Sequence, residues 1–249
     1  MKPEAERIAA LRAEIRAFEQ AGRAAAREWL SLGVEALDSR LAGGGLAVAA
    51  LHEIAGAEPG LGDDAAATLF AAALAARRAE GEGVVLWALA RRDLFAPGLA
   101  QGGLAPDHLL YAECRRDEEV LAVMEEGLRH GGLAAVVGEV GRCPMAATRR
   151  LQLAAEEGGT MALMLKRWRR SGEDPLGLPS AAVTRWRVAC APSEPLPVAG
   201  VGRARWRLAL TRQRGGEPFE IIVESPDEKA RLALPAGAPD RAAETRHAA

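Results

Sequence analysis

Residues 52 to 70, HEIAGAEPGLGDDAAATLF, carry the arrangement that could hold a phosphate. An apolar stretch runs into glycines at Gly56, Gly60 and Gly62, and an alanine-rich helical run follows. A working loop of this kind cradles phosphate on backbone N–H groups, neutralises it with Lys and binds Mg²⁺ through Ser or Thr. This chain has Asp63 and Asp64 there, no Lys or Arg between Glu53 and Arg77, and its Thr68 already within the helical run. Two carboxylates repel a triphosphate. Asp63 suits instead the N-cap of the following helix, where its oxygen accepts free N–H groups and meets the positive end of the dipole. The pattern predicts a degenerate nucleotide loop and no ATP or magnesium cofactor.

Two further positions bear on the same chemistry. A nucleotide site of this architecture needs a carboxylate at the end of a later apolar strand. LAAVVGEVG offers only Glu139, after Gly138, and VVLWAL is followed by Ala90-Arg91-Arg92-Asp93. Glu139 and Asp93 are the residues available for a residual metal or nucleotide contact, and the simpler reading makes both solvated loop residues.

A second constellation lies downstream. Three of the five tryptophans stand between arginines, in Arg167-Trp168-Arg169, Arg185-Trp186-Arg187 and Arg205-Trp206-Arg207. In a strand this alternation puts Trp on one face and both guanidiniums on the other. Trp186 and Trp206 are expected to face the core. Arg185, Arg187, Arg205 and Arg207, extended by Arg212 and Arg214, are expected to form an exposed ladder. Such a ladder suits a phosphate backbone or an acidic partner protein, and an exposed tryptophan would suit stacking on single-stranded bases. Elsewhere the chemistry is sparse. His52, His108, His130 and His247 are scattered and no nucleophile motif flanks them; Cys114, Cys143 and Cys190 have neither metal-ligand nor disulfide spacing.

The elements that must position these residues follow from periodicity. Candidate strands are Leu51–Ile54, Val84–Leu89, Leu109–Ala112, Ala134–Val140 and Met161–Leu165. Candidate helices are 64–79, 93–101, 117–130 and 145–157. In 117–130, Val120, Met124 and Leu128 form an apolar face, and Asp117-Glu118-Glu119 load the first turn with the charge its dipole favours. This alternation predicts an α/β core with a mainly parallel sheet over 29–165. Over 166–224 the helical signal vanishes, and strands at 183–190, 204–211 and 219–224 read as an antiparallel extension at the sheet edge. Residues 1–28 contain one helix with an apolar stripe of Ile8, Leu11, Ile15 and Phe18, for docking on the body or for self-association. Residues 225–249 read as a polar, partly disordered tail.

Composition agrees with this division. Between Lys166 and Arg214 there are eleven Lys/Arg against three acidic residues, whereas the whole chain has 32 against 34. A basic segment on an acidic body points to a polyanion or an acidic protein surface. Neither a signal-peptide pattern nor an apolar run long enough to span a bilayer is found, which predicts a cytoplasmic protein without membrane contact.

The run LSLGVEALDSRLAGGGLAVAALHEIAG (30–56) resembles the opening of the core of RecA-type recombinases. With VVLWALARRDLFAPGLAQGGLAPDHLLYAE, RRDEEVLAVMEEGLRHGGLAAVVGEVG, RRLQLAAEEGGTMALML and the RWR strands in order, the match over about 28–224 is to the ImuA family. That resemblance implies a RecA-like three-layer fold and an accessory role in SOS-induced, error-prone translesion synthesis. It implies as partners ImuB, an inactive Y-family polymerase homologue, and an error-prone C-family DNA polymerase. RecA and single-stranded DNA are further candidate partners. The departures at the loop favour a non-catalytic adaptor. The alternatives are a divergent RecA-type ATPase, completed by Glu139 or Asp93 and a neighbouring subunit, and a regulator of RecA filaments.

Overall fold

The computed structural model describes residues 28–169, 172–194, 196, 198, 200 and 202–235. The predicted N-terminal helix and its Ile8, Leu11, Ile15 and Phe18 lie outside them.

Strand β1 (Trp29–Leu30) pairs antiparallel with β2 (Leu46–Ala47), and the short helix α1 (Glu35–Asp38) lies between them. The main sheet begins with β3 (Leu51–Gly56), which the glycine turn joins to α2 (Leu61–Arg78). It continues through β4 (Val85–Leu89), α3 (Ala96–Gln101), β5 (Leu109–Glu113), α4 (Asp117–His130), β6 (Ala135–Val140), α5 (Met145–Gly158) and β7 (Met161–Lys166). The strands β8 (Thr184–Ala191), β9 (Arg205–Gln213) and β10 (Phe219–Glu224) complete it. The order is β10-β9-β8-β3-β7-β6-β4-β5, eight strands in all. Every neighbouring pair from β8 to β5 is parallel; β8–β9 and β9–β10 are antiparallel.

The mainly parallel sheet and the antiparallel C-terminal strands agree with the sequence. One strand differs from its expected place: 183–190 runs parallel to β3 and lies inside the sheet, so the antiparallel extension proper is β9 and β10. The chain returns to the β3 side through the 167–183 crossover, and a crossover, unlike a hairpin, delivers a parallel strand. Two-residue strands such as β1 and β2 have too little periodicity to be read beforehand.

Helices cover both faces, giving three layers. On one face α2 is built largely of alanine, the strongest helix former. Buried Ala67, Ala71 and Ala75 let it lie close to the sheet, and Phe70 meets Trp186 edge-on at 5.6 Å. Leu32, Leu37, Leu46 and Trp206 share this core. On the other face α4 and α5 bury Val120, Met124, Leu128, Leu151 and Ala155 against β6 and β7. Helix α5 ends at Gly159, whose φ of 63° is the left-handed conformation that closes helices without a Cβ penalty. The second core takes no residue from β8, β9 or β10.

At the centre of the sheet lies an ionic cluster around the fully buried Glu53. Glu53 of β3 accepts a hydrogen bond from Arg185 Nε of β8 (2.7 Å) and another from Ser180 Oγ (2.7 Å), while Lys166 of β7 stands 3.8 Å away. On the opposite face of β3, buried His52 meets Thr184 Oγ1 at 2.7 Å and the Ala47 carbonyl at 2.8 Å. Burial lowers its pKa to about 4, against a smaller opposing effect of the Ala47 hydrogen bond.

Two outcomes are expected. As pH falls from 6.5 to about 4, the unfolded chain protonates His52 while the folded one does not. Stability should therefore drop by about 3 kcal/mol across that window from this group alone. His52→Gln, whatever its offset, should flatten the acid limb in urea unfolding between those pH values. Trp186 is 0% exposed, so Trp186→Ala should cost about 3–5 kcal/mol in the same assay.

Candidate functional site

The carboxyl ends of the parallel strands, where open α/β sheets bind ligands, bring the glycine loop together with the end of β6 and the segment after β7. The loop approaches α2 closely: a Cβ on Gly56 would lie 3.0 Å from the Asp63 carbonyl carbon. Helix α2 begins two residues before Asp63, with Gly60 at the cap position and no side-chain cap. Asp63 is therefore not the N-cap expected of it. Because the helix starts at Leu61, its carboxylate reaches outward to two other backbone groups. Oδ2 accepts the Glu58 N–H (3.1 Å) across the loop, and Oδ1 accepts the Cys190 N–H (2.8 Å) at the end of β8. Gly62 is exposed nearby, 3.6 Å separating its would-be Cβ from Cys190 Sγ.

Arg167 fills the ground between this loop and β6. Its Nη1 donates to the Asp64 carbonyl (3.1 Å), and Nε and Nη2 donate to Glu139 Oε2 at 2.9 and 2.8 Å. The Trp87 indole N–H donates to Glu139 Oε1 at 2.8 Å. Glu139 is thus a buried strand residue, 5% exposed, and not the solvated loop residue expected. Both its oxygens are engaged because a carboxylate buried at a strand end requires compensation. Trp168 lies over the loop itself, donating its indole N–H to the Gly56 carbonyl at 2.9 Å. Arg169 pairs with Asp117.

The side chain of Asp64 has a buried Oδ1 without a partner. Burial raises its pKa, as Asp63 and Glu139 also do, while Arg167 and Arg91 pull it down. Asp93 is far more open and pairs with Arg91 at 2.8 Å. Among the described residues no group of three or more His, Cys, Asp or Glu could hold a metal ion.

The arginine strands present a different picture from the free ladder that alternation suggested. Trp186 and Trp206 do point into the core, 0% and 2% exposed. On the other face the arginines are matched one by one with carboxylates outside their own strands. Arg185 binds Glu53, Arg187 binds Asp174 (2.6 Å), Arg205 binds Glu194 (2.8 Å) and Arg207 faces Glu220 (3.8 Å). Antiparallel register also spreads them, with Arg187 opposite Ala209 and Arg207 opposite Ala189. The result is a shallow concavity of about 460 Å³ floored by Ala57, Ala189 and Ala209 and walled by Trp168, Arg187 and Arg207. Arg212 and Arg214 bond the carbonyls of Ser180 (2.8 Å) and Ala181 (3.4 Å) and, unlike the rest, meet no carboxylate within 4.0 Å among the described residues. Sequence reasoning missed Asp174, Glu194 and Glu220 as partners.

Comparison with known proteins gives one family. Two relatives named Protein ImuA, from the NA1000 / CB15N and ATCC 19089 / CIP 103742 / CB 15 strains of Caulobacter vibrioides, are each 38% identical to this chain over 205 residues. The alignment covers 79% of this chain and 83% of each relative. No protein-family model matches the chain.

The pairing at Glu139 generates a direct check. Arg167→Met leaves a buried carboxylate with only the Trp87 donor and should cost about 3–5 kcal/mol in chemical denaturation. Adding Glu139→Gln should recover most of that loss. Equal destabilisation by the single and double variants would mean that the guanidinium does not compensate Glu139.

Proposed function

The chain belongs to the ImuA family, and from that premise we propose that it is a non-catalytic accessory protein of DNA-damage-induced, error-prone translesion synthesis. In this reading it contacts an ImuB-like Y-family polymerase homologue and an error-prone C-family polymerase, and does not hydrolyse ATP. The α/β body is the scaffold, and its exposed surfaces are the contact elements. No helix among the described residues is long and apolar enough to cross a membrane.

One observation carries the non-catalytic reading. The groups that would receive phosphate and metal are engaged by the chain itself: Asp63 accepts the loop N–H of Glu58, Arg167 ties Glu139 to the start of α2, and Trp168 bonds the Gly56 carbonyl. A bound triphosphate would have to displace these contacts and approach two carboxylates in a loop that carries no lysine. At low dielectric that repulsion is larger than in water.

Equilibrium titration with a fluorescent ATP analogue and Mg²⁺ is expected to show no saturable binding, and capture of the ImuB-like partner should be unaffected by ATP or by its removal with apyrase. Micromolar analogue binding abolished by Gly62→Val, or a partner complex that forms only with ATP, would instead establish the divergent ATPase.

A further inference from the structure

The arginines of the RWR strands are spoken for, which leaves the question of where the basic character of this segment meets an external charge. Arg212 and Arg214 are exposed, their guanidiniums bond backbone carbonyls, and among the described residues no carboxylate lies within 4.0 Å of either, whereas exposed Arg203, which also bonds a carbonyl, pairs with Glu224. A carbonyl orients a guanidinium without cancelling its charge, and Arg has further N–H donors to offer.

Their orientation depends on a β-bulge. Along β9 the residues Trp206, Leu208 and Leu210 face the core, so regular alternation would send position 212 inward as well. The register between β8 and β9 shifts at this point: Trp186 stands opposite Leu210 but Arg185 opposite Arg212, leaving Thr211 as the extra residue. Thr211 Oγ1 donates to the Arg185 carbonyl at 3.1 Å. The extra residue reverses the parity, as bulges do when they re-aim a side chain. Gln213 then turns inward, where it is 7% exposed. It accepts the Ala42 N–H and donates to the carbonyls of Arg40 and Glu217. Arg212 and Arg214 flank this locked residue and reach two consecutive carbonyls, Ser180 and Ala181.

A third exposed cation follows directly in sequence on a residue that the Ser180-Ala181 segment contacts. The Ala181 N–H is donated to Thr148 Oγ1 of α5 at 3.1 Å, and the next residue along α5 is exposed Arg149, also without a carboxylate within 4.0 Å among the described residues. The segment Ser180-Ala181 thus accepts hydrogen bonds from Arg212 and Arg214 and donates one to Thr148, the chain neighbour of Arg149.

We propose that Arg149, Arg212 and Arg214 form a binding surface for the sugar–phosphate backbone of a nucleic acid. A protein partner would be expected to provide an apolar centre to the interface, whereas the contacts joining these arginines are hydroxyls and backbone carbonyls. Arginines held in place by the fold, reading charge and not sequence, are what backbone positioning requires. The inference does not rest on the state of the glycine loop, and DNA titration without nucleotide separates its failure from failure of the accessory reading.

The test is fluorescence anisotropy of the full chain with a labelled single-stranded oligonucleotide at about 50 and about 200 mM salt. The wild-type chain is expected to bind with affinity falling as salt rises. Each of Arg149→Gln, Arg212→Gln and Arg214→Gln should lower the log–log salt slope by about 0.7, and the triple variant should lose about tenfold or more in affinity. Arg212→Lys with Arg214→Lys, which keeps the charge, should retain most of the binding and serves as the control for folding. Arg187→Gln with Arg207→Gln should leave the slope unchanged. Absence of DNA binding by the wild-type chain, an unaltered slope in the single variants, or competition by polyglutamate equal to that of unlabelled oligonucleotide would each overturn the assignment.

Discussion

The buried carboxylate of Glu53 holds the centre of this protein together. It sits on β3 at 0% exposure, between β7, which brings Lys166, and β8, which brings Arg185. A lone carboxylate in that position would carry a desolvation penalty of several kcal/mol. The cluster therefore forms only when the two flanking strands are in register, and Ser180 fixes the second oxygen as the crossover arrives. The ionic cluster specifies where the parallel half ends and the antiparallel half begins, because β8 is the strand on which both depend.

The same device recurs above it. Glu139 is compensated by Trp87 and Arg167, and Asp63 by backbone N–H groups of the loop and of β8. Of the carboxylates at the carboxyl end of the sheet, Glu139 and Asp63 have their partners within the chain, while Asp64 keeps one buried oxygen without a partner. In a fold whose strand ends are suited to an external anion, internal ion pairs have taken over the job of satisfying buried polar groups. This is why the surface chemistry of the protein moves to the other end of β9, where a bulge turns Arg212 and Arg214 outward with only carbonyls for company.

Much of the architecture was legible in the chain. Helix 117–130 matches its predicted bounds because an acidic first turn, an apolar stripe and Gly131 agree on them. The strands 135–140 and 161–166 announce themselves through the apolar runs Ala135-Val136-Val137 and Met161 to Leu165, as strands buried on both faces do. The start of α2 was less legible. Alanine and glycine leave its first turn without a strong signal, so Asp63 passed for a cap when it is the third helical residue. Glu139 likewise looked like a loop residue because nothing within its own segment could compensate it.

The sequence by itself determined the glycine turn without lysine, the strand–helix alternation and the inward direction of Trp186 and Trp206, since local spacing and side-chain polarity are sufficient for each. Only the tertiary structure decided which charges remain available. Arg185 and Arg212 are alike as residues, and differ because one meets Glu53 from a strand 132 residues away while the other meets only a carbonyl. Pairing across such distances depends on sheet order and on a one-residue shift in register, and neither is written in any local stretch of the chain.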